Sequence, residues 1–263
     1  MGGARLPPSL PAVLAAAALA SATGSATQTP RPLSVAAAAN LKPAIEELKR
    51  AFEREHPGWE VAITLGASGT FFAQIQNGAP FDVFLSADRE FPKRLVDAGL
   101  ARAADEKVYA IGQLVLWAPK ESALALEEKG LRAVADPRLH RLALANPAVA
   151  PYGRAAEAAL RQAGLYEAVR DKLVFGQNVS QVAQFAQSGA AEAALLPLSV
   201  ARAPGLAESG RWVPVPDEWY PRLEQSAVVL ASSGNAALGR AFLSFITGSA
   251  GRAILARHGY GLP

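Results

Sequence analysis

Residues 64–88 read TLGASGTFFAQIQNGAPFDVFLSAD, and this stretch decides the fold. An apolar run ends at Leu65 and small residues follow at Gly66-Ala67-Ser68-Gly69. An amphipathic run from about Thr70 is then closed by Asn77-Gly78, and FDVFLSAD is apolar without alternation. A short continuous apolar run suits a strand buried on both faces, as in a parallel sheet. The stretch therefore predicts strand, turn, helix and strand, one βαβ unit. Ser68 falls beside the expected helix start, where backbone N–H groups have no intrahelical partner. A serine there caps the helix or helps to collect an anion, and the two roles share one geometry. Two catalytic motifs fail on spacing. The second glycine comes one residue early for a G-x-S-x-G elbow, and Gly69 is followed by Thr70-Phe71 where a P-loop needs Lys-Ser/Thr.

The same alternation extends in both directions. Upstream, LSVAAAAN (33–40) reads as strand and turn, and Leu41, Ala44, Ile45, Leu48 and Phe52 recur at helical spacing. REFPKRLVDAGL (89–100) is a further helix. VYAIGQLVLWAPK (108–120) opens a new set of strands, and residues 131–165 and 172–201 each supply a strand, a turn and a helix. The strand in YPRLEQSAVVLASS (220–233) precedes a helix pair with Leu238, Ala241, Phe242, Phe245 and Ile246 on one stripe. The fold class is α/β, built from βαβ units. Ligands of such sheets bind beyond the carboxyl ends of the strands. Four turns rich in small or amide-bearing residues fall there: Ala39-Asn40, Ala67-Ser68-Gly69, Pro151-Tyr152-Gly153 and Asn178-Val179-Ser180. Each has a plain structural reading, with Asn40 as a helix cap, Tyr152 as a packing residue and Asn178 as a turn former. Taken together they suit two lobes facing a cleft lined by uncharged donors.

Composition narrows the function. The chain has 263 residues, no cysteine, three histidines and a formal charge of +3. Disulfides and thiolate chemistry are excluded. His56, His140 and His258 stand far apart without metal-ligand spacing. Basic and acidic residues alternate, as in EELKRAFERE (46–55), and do not form the basic patch of a nucleic-acid binder. Residues 1–26, with Arg5, an apolar run from Ala12 to Ala20 and Ala-x-Ala patterns, read as a secretory signal cleaved after Ala22 or Ala26. The expected location is therefore the periplasm. Three rival readings remain. One is a receptor for an oxyanion such as sulfate or phosphate. Another is a hydrolase using Ser68, one of the histidines and Asp82 or Asp88. The third, the sensing domain of a transcription regulator, lacks a helix-turn-helix.

Five segments in order, VAAAANL, GASGTFFAQIQNGAPFDVFLSAD, YAIGQLVLWAP, ANPAVAPYG and NVSQVAQFAQSGAAEAALLP, resemble the periplasmic molybdate-binding proteins of ABC transporters over essentially the whole mature length. The resemblance implies a two-lobed periplasmic binding protein fold, each lobe a mostly parallel sheet flanked by helices. Lobe 1 would comprise 27–110 with 221–263, and lobe 2 would comprise 111–220. It implies no enzyme activity and no cofactor. A molybdate or tungstate oxyanion would be held by neutral hydroxyl and N–H donors, with no protein atom ligating the metal. Carried over by motif, Ala39 through its N–H, Asn40 and Ser68 would serve from the first lobe. Tyr152 and Val179 would serve from the second, through main-chain N–H groups. The implied partner is a membrane permease, and the implied state is a monomer. Two positions depart from the pattern. Ala39 lacks the hydroxyl that near members pair with the asparagine, and Pro197 replaces a tyrosine found in some members.

Overall fold

Residues 1–4 and 31–263 are described in the computed structural model; apart from residues 1–4, the expected signal lies outside them. From Leu33 the βαβ rhythm runs as anticipated. β1 (Leu33–Ala38) leads through a 3-10 turn into a helix at Lys42–Glu55, and β2 (Val61–Gly66) into a helix at Ser68–Gln76. β3 (Val83–Leu85) precedes a helix at Glu90–Asp97, and β4 (Lys107–Gly112) follows. One residue, Gln113, separates β4 from β5 (Leu114–Pro119). Then come β6 (Leu142–Ala145), β7 (Leu173–Gly176), β8 (Ala193–Pro197), β9 (Gly210–Pro214) and β10 (Leu223–Val229).

These strands make two five-stranded sheets of matching design, β2-β1-β3-β10-β4 and β7-β6-β8-β5-β9. In the first, β1 lies parallel between β2 and β3, while β10 pairs antiparallel with both β3 and β4. In the second, β6 lies parallel between β7 and β8, while β5 pairs antiparallel with β8 and β9. Each sheet thus has one opposed strand, β10 or β5. The chain crosses from the first sheet to the second at Gln113 and returns between Pro214 and Leu223.

Strand periodicity explains how the first sheet is covered. Val35, Ala37, Val83, Leu85, Ala227 and Val229 face one side, against Ile45, Leu48, Phe52, Phe242 and Leu255 of the flanking helices. Ala36, Phe84 and Val228, one residue out of step, face Phe71, Phe72, Ile75 and Phe91 on the other. Each buried aromatic such as Phe52 contributes roughly 1.5–3 kcal/mol through its apolar surface. The largest apolar cluster surrounds the second sheet and also takes in Ala38, Ala39 and Ala87, which end first-sheet segments. β9, in GRWVP, is a strand that sequence periodicity did not single out. It lies at a sheet edge, where a terminal proline is tolerated.

Candidate functional site

Three strand-to-helix turns converge on one cavity, and the same backbone logic governs each. A helix leaves its first four N–H groups without intrahelical partners. In the helix at Ser68–Gln76, Gly69 N–H goes to the Val149 carbonyl at 2.9 Å and Phe71 N–H to Ala67 at 3.1 Å. In the helix at Pro151–Gln162, Pro151 has no N–H, and the N–H groups of Gly153 and Arg154 both go to the Ala150 carbonyl. In the helix at Val179–Gln187, Asn178 Oδ1 accepts from Ser180 and Gln181 at 2.9 and 3.2 Å, while its carbonyl takes Val182. What these caps and turns leave over includes the N–H groups of Ser68, Tyr152 and Val179, and all three residues line the cavity. The positive ends of three helix dipoles therefore meet there without a full positive charge. The helix at Pro151 comes this close because residue 153 is glycine, since a Cβ there would overlap the Ala145 carbonyl at the end of β6.

Ala39 and Asn40 line the same cavity, so the structure brings all five sequence-predicted residues together. The cavity is small, with about 10 Å³ open to the centre of a water-sized sphere, and no lining residue carries a charge. Asn40 and Ser68 are each 1 % exposed. The Ser68 hydroxyl accepts the Ala87 N–H at 3.0 Å, its one hydrogen bond among the described residues, so its hydrogen remains free to donate. Asn40 Nδ2 donates to Gln225 Oε1 at 2.9 Å and to the Tyr260 hydroxyl at 3.1 Å. Its Oδ1 is buried without a partner. Burial pushes the Tyr109 and Tyr152 hydroxyls well above the usual tyrosine range, and Tyr260 upward as well, so all three stay neutral. Next to the cavity, Arg154 pairs with Asp88 and lies 3.4 Å from Glu90. Burial raises the Asp88 carboxyl, against the lowering effects of Ser86, the Phe91 N–H and Arg154.

Several expectations change. Neither Ser68 nor Asn40 caps a helix, because neither side chain bonds a first-turn N–H; Asn178 is the side chain that does. Tyr152 both packs and points its hydroxyl at Gln225, accepting from Nε2 at 3.0 Å. Pro197 closes β8 and is not in the cavity wall. The serine hydrolase reading fails on geometry. The His56 ring stacks on Phe52 at 4.1 Å, His258 lies 2.9 Å from Glu47, and no histidine lines the cavity beside Ser68. Asp82 is engaged with Arg31, the Ser34 N–H and Ser233. Gln225, Tyr109 and Tyr260 are not among the expected site residues, and a glutamine within a mostly apolar strand does not announce its burial. Among the described residues no cluster of His, Cys, Asp or Glu is placed to hold a metal ion. A set of N–H and O–H donors suits an anion.

The model of the bacterial extracellular solute-binding protein family matches residues 33–261. The chain is similar to the molybdate-binding protein ModA of Azotobacter vinelandii, 36% identical over 87% of this chain and 89% of that one. It is likewise 36% identical to ModA of Rhodobacter capsulatus, over 86% of each chain. The solved structure of the Azotobacter vinelandii periplasmic molybdate-binding protein superposes with a TM-score of 0.81 at 33% identity, covering 88% of this chain and 99% of that one.

Proposed function

The chain belongs to the bacterial extracellular solute-binding protein family, and from that premise we propose that it captures molybdate, and with it tungstate, in the cavity between its two sheets. The observation that carries the reading is the convergence of Ser68, Tyr152 and Val179, each holding a first-turn N–H that no cap or turn takes, in a wall without charge. The names of the relatives supply the ion. Ala39, Asn40 and Ser68 are the donors of the first half, and Tyr152 and Val179 those of the second. A tetrahedral dianion offers acceptors only, so each N–H or O–H donor that faces it avoids setting a lone pair against a lone pair. Sulfate is smaller and would leave some of these donors unpaired, at about 1–3 kcal/mol for each buried group. Phosphate, protonated near neutral pH, brings a hydrogen that the shell cannot accept.

The protein acts, on this reading, as a periplasmic monomer and not as an enzyme. The two lobes expected from the sequence close on the ion and open to deliver it to an ABC permease. Neutral donors favour this cycle because they select by geometry and release the ion when the lobes part. Bonds that cross the cleft, such as Gly69 N–H to the Val149 carbonyl and Ser199 Oγ to the Asn40 carbonyl at 3.1 Å, accompany the closed state. Native mass spectrometry of stripped protein with equimolar molybdate, tungstate, sulfate and phosphate tests the assignment. One bound molybdate or tungstate per chain is expected, and a dominant sulfate or phosphate adduct would replace the assigned ion with that one.

A further inference from the structure

Gln225 is fully buried in β10, and the register of β10 against β4 shifts between Gln225 and Ser226. Such a bulge re-aims a side chain and is common beside functional sites. Here the extra residue is Tyr109 of β4, whose hydroxyl meets the Gln225 amide, and that amide is one of the places where the two halves of the cavity wall meet. Gln225 Oε1 lies 2.9 Å from Asn40 Nδ2 and 3.0 Å from the Tyr109 hydroxyl, and Gln225 Nε2 lies 3.0 Å from the Tyr152 hydroxyl. The space is tight, since a Cβ at Gly112 would overlap the Tyr152 hydroxyl and crowd Gln225 Nε2 at 2.8 Å.

With Asn40 Nδ2 toward Gln225 Oε1, the hydrogens of this cluster do not balance. The single Tyr109 hydrogen faces two acceptors, the Ser86 carbonyl at 2.8 Å and Gln225 Oε1 at 3.0 Å. The Tyr152 hydroxyl accepts from Gln225, and its own hydrogen has no acceptor among the described residues. Asn40 Oδ1 is buried without a donor, and a lone pair there would repel an oxyanion. Turning both amides over together keeps every heavy-atom contact, because an amide's O and N exchange places. Gln225 Nε2 then donates to Asn40 Oδ1 and to Tyr109, Tyr109 keeps the Ser86 carbonyl, and Tyr152 donates to Gln225 Oε1. The two-acceptor hydrogen moves from Tyr109 to Tyr260, which faces the Asn40 main-chain oxygen at 2.6 Å and the side-chain oxygen at 3.1 Å, while Asn40 Oδ1 and the Tyr152 hydrogen both gain partners. The Asn40 N–H2 becomes the free group.

We propose that Gln225 is a positioning residue of the anion site: by donating to Asn40 Oδ1 it aims the Asn40 N–H2 at the oxyanion, and by accepting from Tyr152 it ties that donor to the opposite half of the wall. This rests on the oxyanion reading above. Burial keeps all three phenols protonated and able to serve the relay. The consequence is a dependence of Asn40 on Gln225 that simple packing would not create.

A double-mutant cycle read by calorimetry with molybdate tests it. Gln225→Met keeps the length and removes both amide groups. It should weaken molybdate binding roughly tenfold to a hundredfold, the loss of one hydrogen bond to a charged group. In the Asn40→Ala background the same change should cost less than about threefold, because the donor it positions is gone. Equal losses in both backgrounds, or none in the first, would overturn the proposal while leaving molybdate as the ligand. An unaltered protein that ignores molybdate takes down the ligand reading and this inference with it. Should Gln225→Met fail to fold, NMR of the unaltered, molybdate-loaded protein decides. A coupling across the hydrogen bond from Gln225 Nε2 to the Asn40 carboxamide carbon is expected, and one from Asn40 Nδ2 to the Gln225 carboxamide carbon refutes it.

Discussion

The two halves of the cavity wall present donors of different kinds. On the first-sheet side the groups are side chains as well as backbone: the Asn40 amide, held by Gln225 and Tyr260, and the Ser68 hydroxyl, held by the Ala87 N–H. On the second-sheet side they are backbone N–H groups at helix starts, and the neighbouring side chains have other work, Asn178 as a cap and the Tyr152 hydroxyl as a partner of Gln225. A side-chain donor can be deleted by almost any substitution. A backbone donor survives every substitution but one, proline. On the proposed function the second half is robust to sequence change, while the first half is where affinity and choice of ion can be tuned.

The contrast is broken most sharply at Val179. Proline is tolerated at the first position of a helix, and Asn178 already has the extended backbone, φ −154 and ψ 174, that precedes proline. Val179→Pro should keep the helix by circular dichroism and weaken molybdate binding by about 1.5–3 kcal/mol or more, since the ring also fills the place of the lost hydrogen. Val179→Ala should bind within about threefold of the unaltered protein. If alanine and proline weaken binding equally, the side chain and not the N–H is what matters there.

On the side-chain half, Ser68→Ala should cost about 1.5–3 kcal/mol of binding. It should also lower the stability of the empty protein by about 1–3 kcal/mol, because the buried Ala87 N–H loses its acceptor. Denaturant melts of the empty protein beside ion titrations check both, and an unchanged affinity removes the Ser68 hydroxyl, though not its N–H, from the shell. Asn178→Ala should be milder, about 1 kcal/mol of stability for a lost cap. Its effect on binding should be smaller than that of Ser68→Ala, because the Val179 N–H remains.

The smallest expected effect is of pH. No ionisable group lines the cavity except the Tyr152 phenol, and burial raises that phenol and its neighbours Tyr109 and Tyr260 above the usual value of about 10. A raised pKa keeps the hydroxyl protonated to higher pH, so no donor is lost as pH rises toward 10. Molybdate affinity should be flat between about pH 6 and 9. A step near pH 7 would point to an ionisable group in the shell.

What could be read in the sequence was local. The four small-residue turns mark the ends of β1, β2, β6 and β7, and strand-turn-helix patterning alone puts Asn40, Ser68, Tyr152 and Val179 at those ends. Cap assignments were less legible. Asn40, Ser68 and Asn178 all stand beside helix starts, and composition cannot say which side chain folds back on its own helix and which reaches across the molecule. Gln225 bonds Asn40 from 185 residues away, and Tyr260 does so from 220. No periodicity encodes such a contact, and in the segment LEQSAVV a glutamine looks like an ordinary polar interruption. Gly69 likewise reads as turn chemistry, yet its N–H is spent on Val149, 80 residues on in the chain.

The central claim is that a shell of neutral donors from both halves selects one size of tetrahedral oxyanion, and thermal melting of dialysed protein tests it most directly. A ligand that binds only the folded state at a thousandfold excess over Kd stabilises it by about 4 kcal/mol. For a chain of this length that raises Tm by roughly 8 to 16 °C. The account expects this rise with molybdate and with tungstate, and little change with sulfate or phosphate at the same concentration. Stabilisation by sulfate or phosphate equal to that by molybdate, or no response to molybdate at all, would contradict it.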